Sequence, residues 1–399
     1  MCYIRNILQI CILGLVLVSC SSDNPALERC NDDVVIGAHY YLWFPENFKQ
    51  GYLRNKLVPK QIPVLGEYDS ELAETAARHI QYAKEYGIDF FSLDWWPFRE
   101  EQNKAVDTFL SAKNISDIQF CIFYESWELN FMPEVGATYF DKAAVDNFVD
   151  HLTTIADMYF QHPSYLHIDN RPVIILYLTR TWAGDYAIAM RKLREKMKEK
   201  GFNPYIIGDE IFWGIIPQGT RLEDLPAASS SPQVERAKLF DALTAYNLYN
   251  QTREDFRGYG RDSSFLEESL RLYKEYKLHP QIRRPVFPTV LPGYNDRGVR
   301  LAEDHFPIPR TWDDKSEEGS YFSKSIDTLI KPLMKKGPKV FFITSFNEWN
   351  EDTAIEPLVE GPSTMKDSSS TGDQYTNGYS YKGFGTTYLE IIKNKKKEL

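Results

Sequence analysis

Two carboxylates, an indole and two amides occupy consecutive positions in Asn347-Glu348-Trp349-Asn350-Glu351. They follow an apolar, β-branched and aromatic run, Val340 to Ile343, that reads as a buried strand. Paired carboxylates beside aromatic rings are what acid/base chemistry on a sugar requires. With Glu348 at the strand end and Glu351 one turn into the following loop, both acids reach a single sugar ring. Unequal surroundings split the pKa values of such a pair, and the group that stays protonated near neutral pH becomes a proton donor. Asn347 and Trp349 are the neighbours that hydrogen-bond one acid and desolvate the other. The plainer alternative makes Glu351 and Asp352 the acidic start of a loop. Glu356, in Ile355-Glu356-Pro357, reads equally well as part of a turn.

These groups need a scaffold that brings distant segments together. Apolar strand-like runs alternate with amphipathic helical patterns along the chain from Val34 onward, with no internal linker. The expected strands are Val34–Trp43, Asp89–Trp96, Ile118–Ser126, Pro172–Arg180, Asn203–Ile211, Phe240–Tyr249, Pro285–Tyr294 and Lys339–Trp349. The helical patterns lie near Ser70–Tyr86, Glu101–Lys113, Asp141–Phe160, Asp185–Lys200, Ser264–Tyr276 and Tyr321–Lys336. Continuous apolar strands are those of a parallel sheet covered on both faces. Eight of them predict an α/β chain folded as a single (β/α)8 (TIM) barrel with enlarged βα loops. A doubly wound open sheet is the alternative, but no glycine-rich dinucleotide fingerprint follows the first strand. Gly214 to Pro232 and Gly361 to Gly385 interrupt the alternation and are candidate cleft walls or lids.

Polar and aromatic residues collect where these strands end. The exits carry His39, Tyr40, Tyr41 and Trp43; Asp94, Trp95 and Trp96; Tyr124, Glu125 and Trp127; Asp209 and Glu210; Tyr246, Asn247 and Tyr249; and Tyr294, Asn295 and Asp296. In a barrel those ends converge on one mouth. Aromatic residues make up 14% of the chain, an excess suited to stacking sugar C–H faces.

Other chemistries lack their signatures. The seven His residues are scattered, with no His-Glu-x-x-His or Cys pair, so no metal site and no cofactor is expected. A calcium ion held by loop carboxylates stays open. No phosphate-binding loop or Gly-x-Ser-x-Gly elbow occurs. A formal net charge of −10 without a basic stripe argues against nucleic acid.

The amino terminus reads as an export signal: a short charged start, the apolar run Ile7 to Val18, then small residues. Leu17-Val18-Ser19-Cys20 resembles the bacterial lipobox, which makes Cys20 the lipidation site. The expected organisation is a signal peptide over residues 1–20, a tether over 21–33 and a catalytic domain over 34–399. The chain is then an exported lipoprotein of the cell envelope, on the outer membrane or cell surface, touching the membrane only through its lipid anchor. A plain signal peptide is the alternative. Of the five cysteines, Cys121 lies in an apolar strand and reads as a core thiol.

Five places resemble glycoside hydrolase family 99, the endo-acting α-mannosidases and α-mannanases, and the wider 71/99-like group. They are Gly37-Ala-His-Tyr-Tyr-Leu-Trp43, Leu93-Asp-Trp-Trp-Pro97, Phe123-Tyr-Glu125, Pro288-Thr-Val-Leu-Pro-Gly-Tyr294, and Thr344 to Glu351 followed by Thr353-Ala-Ile-Glu356. The resemblance implies a (β/α)8 barrel that cleaves internal α-mannosidic bonds with retention through a substrate-assisted 1,2-anhydro sugar. It makes Glu348 the base on the sugar O2 and Glu351 the acid on the leaving oxygen. Glu125, Tyr246 and Tyr294 would bind the reacting sugar, with Trp95 and Tyr41 packing at its edge. The family's usual Glu-Trp-His-Glu-Gly reads Glu348-Trp-Asn-Glu-Asp352 here, so Asp352 is expected to add charge beside the acid and to restrict the backbone. The implied partner is an oligo- or polysaccharide containing α-mannose. An endo-acting α-glucanase and a lipid-anchored glycan-binding protein without turnover are the alternatives.

Overall fold

The computed structural model describes residues 33–249, 264–303, 305–335 and 337–399. The signal peptide, nearly all of the tether and Cys20 lie outside the described residues.

Nine parallel strands form one sheet: β1 (Val35–Tyr40), β2 (Phe90–Trp95), β3 (Gln119–Tyr124), β4 (Arg171–Leu176), β5 (Tyr205–Asp209), β6 (Ala242–Thr244), β7 (Val286–Phe287), β8 (Thr289–Val290) and β9 (Val340–Ile343). Each of the eight runs expected as strands yields one, except that the seventh breaks at Pro288, which has no N–H for the ladder, into β7 and β8. Leu243 pairs with Val286 on one side of the break and Thr289 with Phe342 on the other. Val35 pairs with Val340, and the two ends of the ladder are the halves of the single strand broken at Pro288, so the barrel is nearly closed and the open-sheet alternative falls. Gly37 is needed where β1 meets β2, because a Cβ there would lie 2.1 Å from the Phe90 ring.

The outer layer consists of α1 (Ala73–Tyr86), α2 (Glu100–Leu110), α3 (Lys142–Tyr159), α4 (Tyr186–Glu199), α5 (Ser264–Lys277), α6 (residues 320–333, with a π-helical turn at Ile326–Ile330) and α7 (Thr387–Lys396). Their apolar stripes pack on the barrel, which turns the helical period into a buried face. Between β5 and β6 the connection contains just one helical turn, Val234–Ala237, beyond a 3₁₀ turn. Among the described residues no helix is long and apolar enough to cross a membrane.

The barrel interior is filled by rings. His39 lies among Phe123, Tyr246 and Phe342, with its Nδ1 2.7 Å from Ser92 Oγ. Burial pushes the His39 pKa down to about 3, so it is a neutral packing group.

Neither expected loop excursion is a plain coil. Residues 214–232 carry an Ile215–Ser229 bridge. The later one is bounded by an antiparallel hairpin, Leu358–Thr364 with Tyr381–Gly385. Its Tyr381 hydroxyl accepts from Asn295 Nδ2 at 2.6 Å and its Lys382 carbonyl from Arg54, which fastens it to neighbouring loops as a supporting wall.

Candidate active site

Glu348 and Glu351 follow β9 by a few residues. Ser345 Oγ accepts from the Glu348 N–H at 2.7 Å, and Glu348 Oε1 accepts from Asn350 N at 2.8 Å. The side chain of Glu348 is therefore held by its own loop. Glu351 meets a cation: Arg300 Nη2 stands 3.2 Å from Oε1, while Arg300 Nε is 3.1 Å from Asp296. Burial raises the pKa of both acids; the Glu351 charge raises Glu348 further, and Arg300 opposes the rise at Glu351. The two carboxylates thus compete for one negative charge. Arg300 beside Glu351 draws the shared charge toward that acid.

Tyrosines from three other exits converge on this pair. Tyr41 donates from its hydroxyl to the Tyr246 hydroxyl at 2.7 Å, and its ring stacks on Trp43 at 4.3 Å. Glu348 raises the pKa of Tyr41 and Tyr246, and Glu351 that of Tyr246 and Tyr294, beyond the larger effect of burial. All three phenols stay protonated, with the Tyr41 hydroxyl proton already committed to Tyr246. Glu125 follows β3, buried, with its Oε2 accepting from Trp127 Nε1 at 2.9 Å. Burial, then the Asp94 charge, lifts its pKa well above the carboxylate range. Tyr41, Glu125, Tyr246, Tyr294, Glu348 and Glu351 therefore share one mouth.

Trp95, Trp349 and Asn347, all three expected among the substrate-binding residues and the last two also as neighbours of the acids, lie elsewhere. Trp95 points outward from β2, stacked on Tyr124 and 5.6 Å from the ring of His151 in α3. The pleat explains this: Ser92 and Asp94 take the inner face, so Trp95 takes the outer one. Trp349 is fully buried under the loop, its Nε1 donating to Glu356 at 3.1 Å. Asn347 is also fully buried and is spent on structure. Its Oδ1 accepts from Tyr41 N at 2.8 Å and its Nδ2 donates to Tyr41 O at 2.9 Å, closing a ladder-like pair. Glu356 is part of this support, binding Tyr68 at 2.7 Å and His79 at 3.0 Å.

The Asp352 charge does not sit beside the acid. Arg54 Nε reaches Asp352 Oδ1 at 2.6 Å and Arg310 Nε reaches Oδ2 at 3.0 Å, all three fully buried. Its φ of +49° is the left-handed conformation that glycine takes freely, consistent with glycine in the resembled motif. Asp209 and Glu210 are likewise neutralised, by Arg180 and Arg236 respectively.

Four further groups stand at the mouth: Asp94 and Trp96, which the sequence placed at a strand exit without a role, and Tyr177 and Arg300, which it passed over. Asp94, with a pKa pushed up by burial to about 7, accepts from Leu42 N and from Trp96 Nε1. Trp96 stands 5.7 Å from Trp43 and 5.9 Å from Trp127, extending the aromatic wall. Tyr177 packs 5.1 Å from Phe123 and from Tyr246. Its signal was the inward parity of Val173 and Ile175, obscured because β4 stops at Leu176 and not at the expected Arg180. Arg300 had only its four-residue spacing from Asp296. Among the described residues no cluster of His, Cys, Asp and Glu could hold a metal ion.

The parallel strands, their helical layer and the paired acids in an aromatic mouth define a (β/α)8 barrel with its site at the strand exits. The chain belongs to the family described as Glycosyltransferase WbsX, whose model matches residues 50–364. It is 23% identical over 304 residues to a mouse glycoprotein endo-alpha-1,2-mannosidase-like protein and 25% identical over 310 residues to the zebrafish one, each match covering 74% of this chain. The matches span 58% and 59% of those relatives' own lengths. Among solved structures, a glycoside hydrolase-like protein superposes with a TM-score of 0.64 at 20% identity, covering 94% of this chain and 96% of that one. A family 99 endo-alpha-mannosidase from Bacteroides thetaiotaomicron gives 0.57 at 19% identity, covering 92% and 99%. These likenesses establish the barrel as the shared fold.

Proposed function

We propose that the chain is a glycoside hydrolase that cleaves internal α-linked bonds, acting as an endo-α-mannosidase or mannanase with retention. The observation that carries this reading is the buried, mutually repelling pair Glu348 and Glu351 at a mouth lined by Tyr41, Tyr246 and Tyr294. The names of the curated relatives support the mannose assignment.

In this mechanism Glu348 takes the proton of the sugar O2 hydroxyl. O2 attacks the anomeric carbon as the glycosidic C1–O bond breaks, and the departing oxygen takes the proton of Glu351. Water then gives a proton to Glu351 and attacks C1. The strained ring opens, O2 recovers its proton from Glu348, and the two inversions leave the anomer retained. Glu351 must therefore carry the proton when substrate is bound. Arg300, half exposed at the rim, is the group a bound glycan displaces; losing this cation raises the affinity of Glu351 for the proton.

The description of the family as a glycosyltransferase fits a second outcome of the same intermediate, capture by a sugar hydroxyl in place of water. Incubating the protein with α-mannan and sizing the products separates these readings. Shorter internal fragments mean hydrolysis, and products longer than the substrate mean transfer. Glycan binding with no new products would overturn both. We also propose that Cys20 is acylated and holds the protein on the cell envelope, which the intact mass of the isolated chain tests.

A further inference from the structure

The two ends of the barrel carry opposite charge. Around the mouth, a cavity of about 510 Å³ between the β1 and β2 exits is lined by Glu46, Asp69, Glu71 and Glu101 against the single cation Arg99. At the other end, where the strands begin, a cavity of about 670 Å³ has six cations, Arg171, Arg191, Arg194, Lys198, Lys238 and Arg284, against Glu195 and Asp241. Asp241 is already engaged by Arg171 and Arg194. Arg284 Nε is buried without a partner, and Arg191 and Lys198 are exposed.

The basic character extends across this floor. The last turns of α1, α4, α5 and α7 carry Lys84; Lys196 and Lys198; Lys274 and Lys277; and Lys393, Lys395 and Lys396. Lys84, Lys196, Lys395 and Lys396 are paired with Asp117, Glu199, Asp327 and Asp89, whereas Lys198, Lys274 and Lys393 are exposed and stand outside the ion pairs of the described residues. Cations at helix C-termini complement the helix dipoles, and in a barrel all those termini lie on one face. Lys396 confirms the placement, donating to the Gly87 carbonyl just ahead of β2.

The chain also enters the barrel here, since β1 begins at Val35. Twelve residues, hence thirteen residue-to-residue steps, separate Cys20 from Asp33. Fully extended they reach about 45 Å, too long a leash to fix the orientation of a tethered barrel by itself. Charge decides it. We propose that the floor of the barrel docks on an anionic membrane surface, through phosphate-bearing lipid headgroups, and so holds the mouth away from the membrane. The proposal rests on the Cys20 anchor and is independent of the reaction at the mouth. Such docking weakens with salt, because the attraction acts only within a Debye length of the surface.

The test uses the processed, acylated full chain carrying Cys30→Ser, which leaves Cys121 buried and unreactive. A fluorophore is placed on the floor through Lys198→Cys or beside the mouth through Leu222→Cys. The labelled proteins are bound to vesicles of phosphatidylcholine with or without one-third phosphatidylglycerol, both containing a headgroup quencher. The floor label is expected to be quenched in the anionic vesicles and released by high salt or by Arg191→Glu with Lys393→Glu; the Leu222 label stays bright. Equal quenching of both labels, stronger quenching at Leu222, floor quenching indifferent to lipid charge, or failure of the acylated chain to associate would each overturn the proposal.

Discussion

At the scale of single residues, the chemistry turns on which carboxylate holds the shared proton. Replacing Glu348 or Glu351 with Gln should each lower turnover on α-mannan by about 10²–10⁴-fold while circular dichroism and melting stay close to the parent. A fully active Glu351→Gln would remove it as the acid. Arg300 lowers the pKa of both acids, so Arg300→Gln should move both limbs of the kcat/KM profile to higher pH. An unmoved profile would mean that Arg300 serves only the fold. Tyr41, Tyr246 and Tyr294 were legible from the sequence because a strand exit fixes both their level and their convergence. Trp95, which the resemblance puts at the sugar's edge, was misread because the pleat assigns every second side chain to the helix layer. Trp349 and Asn347 were misread for another reason. A loop that must turn back on itself consumes its nearest polar groups in its own hydrogen bonds.

At the scale of elements, the segment that carries the acids is held from below. Asp352 lies between Arg54, ahead of α1, and Arg310, ahead of α6, and these arginines also touch the aromatic rings of the final hairpin and α7. Asp352→Asn keeps the left-handed backbone but leaves two buried guanidiniums short of a counter-charge. It should cost about 3–5 kcal/mol in urea unfolding. A loss below about 1 kcal/mol would mean that packing, and not charge, secures the loop. The eight expected strands and six helices were legible because apolar runs and helical periods survive in local sequence. The hairpin after Leu358 was not, because its exposed stretch from Val359 to Thr364 and its register shifts leave no clean two-residue alternation.

At the scale of the whole molecule, burying acids at the mouth trades stability for function. Asp94 rises from 3.8 to about 7, so the stability it adds is complete below pH 3.8 and is lost as pH rises through 7. Burial raises Glu125, Glu348 and Glu351 in the same direction. His39 works oppositely, adding stability above 6.5 that falls away toward pH 3, and it contributes no slope in the alkaline range. Melting temperature should therefore fall between pH 6 and pH 8, and Asp94→Asn should flatten that fall. A melting temperature that rises across this interval would contradict the assignment of these acids to a dry mouth.

The single helical turn Val234–Ala237 leaves one sector of the outer ring thin, bordered by exposed chain from Arg221 to Asp224. A protease offered the folded protein should make its first cut there. The halves should remain bound after the nick, since the barrel staves on either side pair through their backbones and the buried Arg236 grips Glu210 across the gap.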